Sequence, residues 1–486
     1  MPLITGIIAD GNNPYTRPFQ PQAMSVYPPL YNIVVAPLSG IFGNTLLLHR
    51  LVSAFFIAVS CGLCALAAIR NSGSRIYGIA ASVCLYAALL FYSTPIASTN
   101  ALGMALFLAT VLIPWFFHFS NRSLALALLC GLLAFYTKQY FVVGVAMVCL
   151  YVFLFQSMIR ALTAGMVWVF VVLFSLVVVH HSSPYFLDNT IFSTAIAASR
   201  LSSWALLFLQ LKQYAITYWG LLAIMTLVLL QALKRSTIRG VSHSLGGRLK
   251  MNVSRLSKPL SNRRPDYFWF CFFWGTAAIV VSLGRNPGNY MTYLFQLMSP
   301  FLLIAGFGSV ARLRGRLRLA APLVLAVFFQ AYTILPKDFS TNLENWRSID
   351  ELIARHDEIL ASQMLLINLI RHGKEVYQDG HTFYFPLAQG KPKWFVKELS
   401  EQRVEGLWEQ YLTMLYEKVR NKEFDLVIVS PWDFNGIFIS NPPPYANIGG
   451  AEYFQQFYYV DEKIRLSMTD RYGGGAYDLR IWRPKP

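Results

Sequence analysis

About ten apolar stretches follow one another through the first 337 residues, and each is close to the length that a membrane-crossing helix needs. Such a helix takes about 20 mostly apolar residues. The chain is 55% hydrophobic and only 13% charged, whereas a soluble domain is about 25% charged. We therefore predict an α-helical polytopic membrane bundle. Its spans are expected near residues 50–69, 76–94, 100–118, 123–137, 140–157, 161–180, 216–233, 267–283, 292–310 and 319–335.

Charge is distributed unevenly along the chain. Residues 1–337 contain three acidic residues, Asp10, Asp188 and Asp266, against 24 Lys and Arg, whereas residues 338–486 contain 21 acidic and 17 basic residues. The basic residues of the first part lie in short loops between apolar stretches, which is typical of cytoplasmic loops. We therefore infer contact with lipid and expect no nucleic-acid partner.

Basic clusters at 234–264 and 312–318 set the predicted orientation, because Lys and Arg concentrate in cytoplasmic loops. Alternating spans then place five regions on the outward face: 1–49, 95–99, 181–215, 284–291 and the C-terminal part. We predict a multi-pass protein of the cell membrane with an exoplasmic C-terminal domain. An outward N-terminus needs an earlier helix to carry it across, so we expect a first helix to be missing before Met1.

Two domains are predicted. Residues 1–337 form the transmembrane domain, with 1–49 as an outward first loop, in which Pro37 interrupts an apolar, re-entrant or interfacial segment at 29–45. Residues 338–486 form a small exoplasmic α/β domain. Within it, apolar periodicity predicts helices at 346–371 and 397–421, and strands at Phe424–Val429, 455–467 and 476–483.

Asp10 is the first candidate for chemistry, because an ionisable group near a bilayer is costly to keep. It lies in Ala9–Tyr15 (Ala-Asp-Gly-Asn-Asn-Pro-Tyr), and Tyr27–Tyr31 (Tyr-Pro-Pro-Leu-Tyr) follows. Gly, Asn and Pro favour a shaped turn, and tyrosines suit a membrane interface. Asp10 is therefore either a turn residue in a solvated loop or a general base.

Asp188 is the second outward carboxylate of the membrane part. One interpretation is a cap for the helix that follows. A second interpretation is a metal site shared with His180 and His181, although their spacing fits no standard zinc pattern. A divalent metal is thus left open as a cofactor.

Lys138 and Arg285 are the outward cations with the strongest case for binding phosphate. Lys138 lies in Thr-Lys-Gln between two apolar runs, where its head could reach the interface or hold a phosphate as a point charge. Arg285 lies in a short Gly-rich loop that ends in Asn289-Tyr290, and an Arg there could bind phosphate bidentately.

The order of these features resembles the GT-C superfamily of polytopic glycosyltransferases. The resemblance is closest to bacterial members similar to protein mannosyltransferases and aminoarabinose transferases, in glycosyltransferase family 39. It is carried by the acidic first loop with its Pro-Tyr step, the Tyr-Pro-Pro-Leu-Tyr segment, His49-Arg50, Thr-Lys-Gln, the loop ending Asn289-Tyr290 and the outward α/β tail. Many relatives have an acidic pair in the first loop, whereas this chain has Asp10 alone.

The resemblance implies an enzyme that transfers a hexose or pentose from a polyprenyl-phosphate carrier to a glycan, lipid or protein acceptor on the outer face. It implies that Asp10 is the base, with Asp188 as a second acidic residue. Lys138, Arg285 and, more weakly, Arg50 would hold the lipid phosphate. Residues of the donor and acceptor loops would be Tyr15, Tyr27, Tyr31, Asn289 and Tyr290. The alternatives are a transporter or flippase for a lipid-linked saccharide, and an inactive scaffold.

Overall fold

The computed structural model is mostly helical, with one small sheet near the C-terminus. The structure describes residues 2–89, 99–195, 203–226 with gaps, 266–281, 283, 292–311, 339–362, 365–378, 381–382, 406–430, 450–467 and 476–486. The predicted spans at 216–233 and 319–335 lie partly or wholly outside these residues.

The chain forms two compact units, and both are discontinuous in sequence. The loop unit consists of Met1–His49, Leu176–Arg200 and Leu335–Pro486, and the helical unit consists of Arg50–Ser175 and Leu201–Ile334. The loop unit gathers three regions whose sequences predict the same face of the membrane. The predicted domains, in contrast, are contiguous in sequence.

Two short helices, α1 (Pro2–Ala9) and α2 (Leu30–Phe42), form the first segment of the loop unit. They pack against each other through a buried hydrogen bond in which Thr5 Oγ1 donates to Asn32 Oδ1 over 3.0 Å. α2 contains Pro37 and has 13 residues, fewer than the 20 or so that a span requires.

Three described helices are long and apolar enough to cross a membrane: α3 (Leu46–Ser72), α5 (Thr99–Phe116) and α8 (Met158–Ser182). Shorter apolar helices accompany them: α4 (Arg75–Ala88), α6 (Asn121–Phe135), α7 (Val142–Phe155), α9 (Tyr267–Val281), α10 (Thr292–Leu297) and α11 (Ser299–Ala311). On α8, Met166, Phe170 and Phe174 are each more than 60% exposed. An outward apolar surface of this kind suits lipid.

The C-terminal part of the loop unit is a small α/β fold. Its elements are α12 (Phe339–Arg355), β1 (Ile359–Ala361), α13 (Leu366–Arg371), α14 (Leu407–Arg420), β2 (Leu426–Val429), α15 (Gly450–Phe457), β3 (Tyr458–Ser467) and β4 (Ala476–Pro484). The strand order is β1-β2-β4-β3. β1 and β2 are parallel, and the other pairs are antiparallel. Ile353, Leu369 and Ile481 belong to its buried apolar core.

The strands predicted near residues 424, 455 and 476 are confirmed as β2, β3 and β4. The single helix predicted at 346–371 is wrong, because α12 ends at Arg355 and β1 follows. β1 is fully buried and pairs with β2 in a register that sets Leu360 beside Val427. This pairing overrides the helical periodicity of the local sequence. Helix α15 had no counterpart in the sequence prediction.

Candidate functional site

Asp10 lies immediately after α1, at the start of a tight turn. Its backbone N–H still donates to the Gly6 carbonyl over 2.9 Å, and the N–H of Asn12 donates to the Ile7 carbonyl over 2.9 Å. Gly11, between them, has a φ of 77°, a conformation that favours glycine at the end of a helix. The turn leaves the Asp10 side chain exposed, so its carboxylate can meet a substrate.

The loop after Asp10 is braced by its own polar side chains. Asn13 Oδ1 accepts from the Tyr15 N–H over 3.0 Å, and the Thr16 hydroxyl donates to the Asn13 carbonyl over 2.7 Å. The Tyr15 hydroxyl donates to the Tyr27 carbonyl over 2.7 Å. Tyr15 is 2% exposed, and this burial raises the pKa of its phenol, so the phenol keeps the proton that it donates.

The segment that carries Asp188 folds against this loop. Asn13 Nδ2 donates to Ser183 Oγ over 2.7 Å and to the Ser182 carbonyl over 3.0 Å. The Tyr185 N–H donates to the Tyr15 carbonyl over 3.2 Å. The ring of Phe186 lies edge-on to that of Tyr15, with 5.1 Å between their centroids. The two acidic segments predicted from the sequence are therefore parts of one structure.

Asp188 itself is only 4% exposed. It is the first residue of a π-helical turn, Asp188–Phe192, and Leu187 before it already has helical dihedral angles (φ −65°, ψ −39°). Asp188 is therefore not in the extended backbone conformation of a helix N-cap. Among the described residues, which include His180 and His181, no group of three His, Cys, Asp or Glu could hold a metal ion.

A cavity of about 490 Å³ lies within the loop unit, and Asp10 is part of its lining. One wall comes from α1 and the first loop, and the other comes from the segment 370–376 of the α/β part. The polar lining residues are Asp10, Gln22, Asn44, Lys374 and Glu375. The apolar lining includes Phe19 and Ile370. The cavity thus combines apolar surface with a few convergent polar groups, as ligand sites do.

Lys138 belongs to the helical unit and is 7% exposed. Its ammonium donates to Asn100 Oδ1 over 3.2 Å and lies 5.4 Å from the centre of the Tyr140 ring. The side chain is therefore buried between polar partners and does not extend to the surface. The Tyr140 hydroxyl in turn donates to Gln296, so the ammonium belongs to a buried polar cluster.

The other residues predicted from the resemblance have different surroundings. Tyr31 is fully buried, and its hydroxyl donates to the His49 carbonyl over 3.0 Å. The ring of Tyr27 lies edge-on to that of His381, with 5.4 Å between centroids. Arg50 is exposed on α3. Three further residues lie outside the described residues: Arg285, Asn289 and Tyr290.

Gln22, Lys374 and Glu375 are cavity residues that sequence reasoning missed. The Gln22 side-chain oxygen Oε1 is buried and has no hydrogen-bond partner among the described residues. Lys374 Nζ donates to Asp357 Oδ1 over 2.8 Å, and the Tyr377 hydroxyl lies between Glu358, its closer acceptor, and Glu375 at 3.1 Å. No local signal marks these residues, since many solvated faces contain a similar Lys-Glu pair.

Chemically, the loop unit offers an exposed carboxylate beside a cavity of mixed polarity. Such a carboxylate can take a proton from a hydroxyl held in the cavity. The chain matches no protein-family model, and no curated protein is significantly similar to it.

Proposed function

We propose that this chain is a membrane glycosyltransferase of the GT-C type. It moves a sugar from a polyprenyl-phosphate carrier to an acceptor on the outer face of the cell membrane, which it crosses about ten times. The observation that carries the proposal is the position of Asp10, whose exposed carboxylate lines a cavity of the loop unit. The folding of the Asp188 segment against the Asp10 loop supports it further.

Asp10 acts as the general base in this proposal. An acceptor hydroxyl attacks the anomeric carbon of the donor sugar, and its proton passes to the Asp10 carboxylate. The new bond joins the acceptor oxygen to that carbon, while the bond from the carbon to the phosphate oxygen breaks. The electron pair stays on the phosphate, so the products are the glycosylated acceptor and polyprenyl phosphate. Attack from the face opposite the phosphate inverts the configuration.

Lys138 is assigned to the leaving phosphate, which gains negative charge as the bond breaks. A fixed cation stabilises such charge most where water is excluded. Lys138 is buried, and the amide oxygen of Asn100 orients its ammonium. Arg285 and Arg50 are assigned the same role on the resemblance alone.

Asp188 is assigned a supporting role near the acceptor or donor. It is buried in the π-helical turn that packs against the first loop. Asn189, the next residue, donates from Nδ2 to Gln20 Oε1 over 3.0 Å. The turn thereby helps to hold the loop that follows Asp10.

The test is donor cleavage by the full chain in liposomes. Polyprenyl-phosphate hexoses and pentoses are supplied with membrane extract as acceptor, and released polyprenyl phosphate is measured. We expect Asp10→Asn to lower turnover about 10²- to 10⁴-fold, the usual contribution of a general base. The matched control is Asp478→Asn, which changes an exposed carboxylate on β4 and should leave turnover unchanged.

Three results would contradict the proposal. Equal turnover by wild type and Asp10→Asn would exclude Asp10 as the base. Movement of the intact donor across the bilayer without cleavage would instead indicate a flippase. A chain that neither cleaves nor moves any donor of the panel would count against an enzyme and favour a scaffold.

A further inference from the structure

We propose that the 490 Å³ cavity of the loop unit binds a neutral saccharide unit of the acceptor, and that Gln22 and Glu375 select it. This inference rests on the proposed function, because it gives the acceptor a place beside Asp10. It also extends that function, because it assigns the substrate class and two specificity residues that lie outside the reacting groups.

The cavity has a suitable size and a suitable surface. Small-molecule sites commonly measure about 300–1,000 Å³, and 490 Å³ falls inside that range. A sugar ring has apolar C–H faces and a rim of hydroxyl groups. The apolar lining at Phe19, Ile370 and Val376 can cover such a face, while polar groups meet the hydroxyls.

The charges of the lining favour a neutral ligand with hydrogen-bond donors. Asp10 and Glu375 bring two carboxylates, and Lys374 brings one ammonium group. The Lys374 ammonium lies 2.8 Å from Asp357 Oδ1, so its charge is largely balanced by a partner. A phosphate or carboxylate ligand would therefore meet net negative charge, whereas hydroxyl groups would find acceptors.

Gln22 is a half-buried lining residue of the cavity. Its Oε1 atom is buried without a hydrogen-bond partner among the described residues, and buried acceptors are usually paired. Its backbone is held in place, because the Thr382 hydroxyl donates to the Gln22 carbonyl over 3.2 Å. Oε1 is enclosed in this conformation, and no hydrogen bond to it from the described residues opposes a rotation that turns it toward a ligand hydroxyl in the cavity.

Glu375 lines the cavity from the other wall. One of its oxygens lies 3.1 Å from the Tyr377 hydroxyl, but the single proton of that hydroxyl is directed to the shorter contact with Glu358, so the Glu375 carboxylate keeps its capacity to accept from a ligand. Because Gln22 and Glu375 lie on opposite walls, a ligand that contacts both must fit the width of the cavity. Neither residue is assigned a role in the chemical step, so both are expected to affect acceptor binding, measured as KM, and not kcat.

The experiment measures binding directly, with the full chain in lipid nanodiscs. Saturation-transfer NMR is recorded with the methyl glycosides of glucose, galactose and mannose, and with methyl glucuronide as an anionic probe. We expect transfer to at least one neutral probe and weaker transfer to the glucuronide. Gln22→Leu and Glu375→Gln should each weaken the affinity about three- to tenfold, the usual effect of losing one hydrogen bond.

The control variant is Glu462→Gln, which changes an exposed carboxylate on β3 and should bind as wild type does. Thermal unfolding of each variant shows that the comparison is made on folded protein. The two cavity variants change opposite walls, so each tests the cavity independently of the other. The inference is overturned if no neutral probe binds, if the glucuronide binds best, or if both variants bind as wild type does. Donor cleavage without saccharide binding would overturn this inference alone, whereas binding without cleavage would overturn the proposed function alone.

Discussion

The turn that carries Asp10 and the turn that carries Lys138 are held by different forces. Around Asp10, Asn13 makes hydrogen bonds to Ser183, to Tyr15 and to the Ser182 carbonyl. Around Lys138, close packing dominates, since α5 has a glycine where any side chain would collide with the neighbouring turn. In a solvated loop, water can replace a lost hydrogen bond at a small cost in free energy. Apolar helices, in contrast, associate through small residues and close packing.

The Asp10 turn and the Lys138 turn therefore hold their charged groups in two different ways. In the loop unit, a polar scaffold presents the Asp10 carboxylate to solvent. In the helical unit, dense packing buries the Lys138 ammonium against an amide oxygen. Changes to packing should therefore cost more stability around Lys138, and changes to single hydrogen bonds should cost less around Asp10.

The largest loss of stability is expected for Gly103→Ala in α5. A Cβ atom at residue 103 would overlap the ring of Phe141 and the hydroxyl of Thr137, which flank Lys138. Overpacking of this kind costs about 1–3 kcal/mol, so the unfolding temperature in detergent should fall. Gly165→Ala in α8 is the matched control, because a Cβ atom there meets open space. Equal unfolding temperatures for the two variants would refute tight packing at this turn.

A smaller loss of stability is expected for Asn13→Ala in the first loop. The change removes the bonds to Ser183 and the Ser182 carbonyl that join the two acidic segments, and it also removes the acceptor for the Tyr15 N–H. The loss should be about 1–2 kcal/mol, because water replaces part of what is lost. The control is Asn12→Ala, which alters an exposed neighbour. If both variants unfold alike by fluorescence, the bridge contributes nothing.

The smallest loss of stability is expected when Asp350 of the α/β part is changed. Its carboxylate lies near the surface, where it accepts hydrogen bonds and faces a positive charge. Partial burial opposes ionisation, but hydrogen bonds from Asn368 and His372 and the charge of Arg371 lower the pKa of this carboxyl. A lowered pKa adds stability above the unfolded value of about 3.9, and this stability is lost as the pH falls through the folded value. Asp350→Asn should therefore cost up to about 1 kcal/mol at pH 6 and less near pH 3. Thermal unfolding of the wild type and of Asp350→Asn at both pH values measures the difference in stability. A difference that does not depend on pH would contradict the prediction.

Much of the fold could be predicted because apolar runs and alternation are local signals. The helices around residues 50–69 and 161–180 and the strands at the C-terminus follow from such patterns. The break after Arg355 could not be predicted in the same way. Ile359 and Leu360 continue a helical pattern in the sequence, and only their pairing with Leu426 and Val427 makes them a strand.

The candidate site was predictable only one residue at a time. Scarcity of carboxylates singled out Asp10 and Asp188, but nothing local says that one is exposed and the other buried. Burial depends on contacts between distant segments, such as the bond from Asn13 to Ser183. Glu375 was missed for the same reason, because its relation to the first loop exists only after folding.

The two-walled cavity has a consequence for engineering. One wall and the proposed base belong to the N-terminal segment, whereas the other wall is the short segment 370–376 at the end of α13 and just after it. If Glu375 selects the acceptor as proposed, exchange of residues 373–376 between related chains would change the preferred acceptor without altering Asp10. Selection could therefore diversify the choice of acceptor through one short surface segment while the chemical step is conserved.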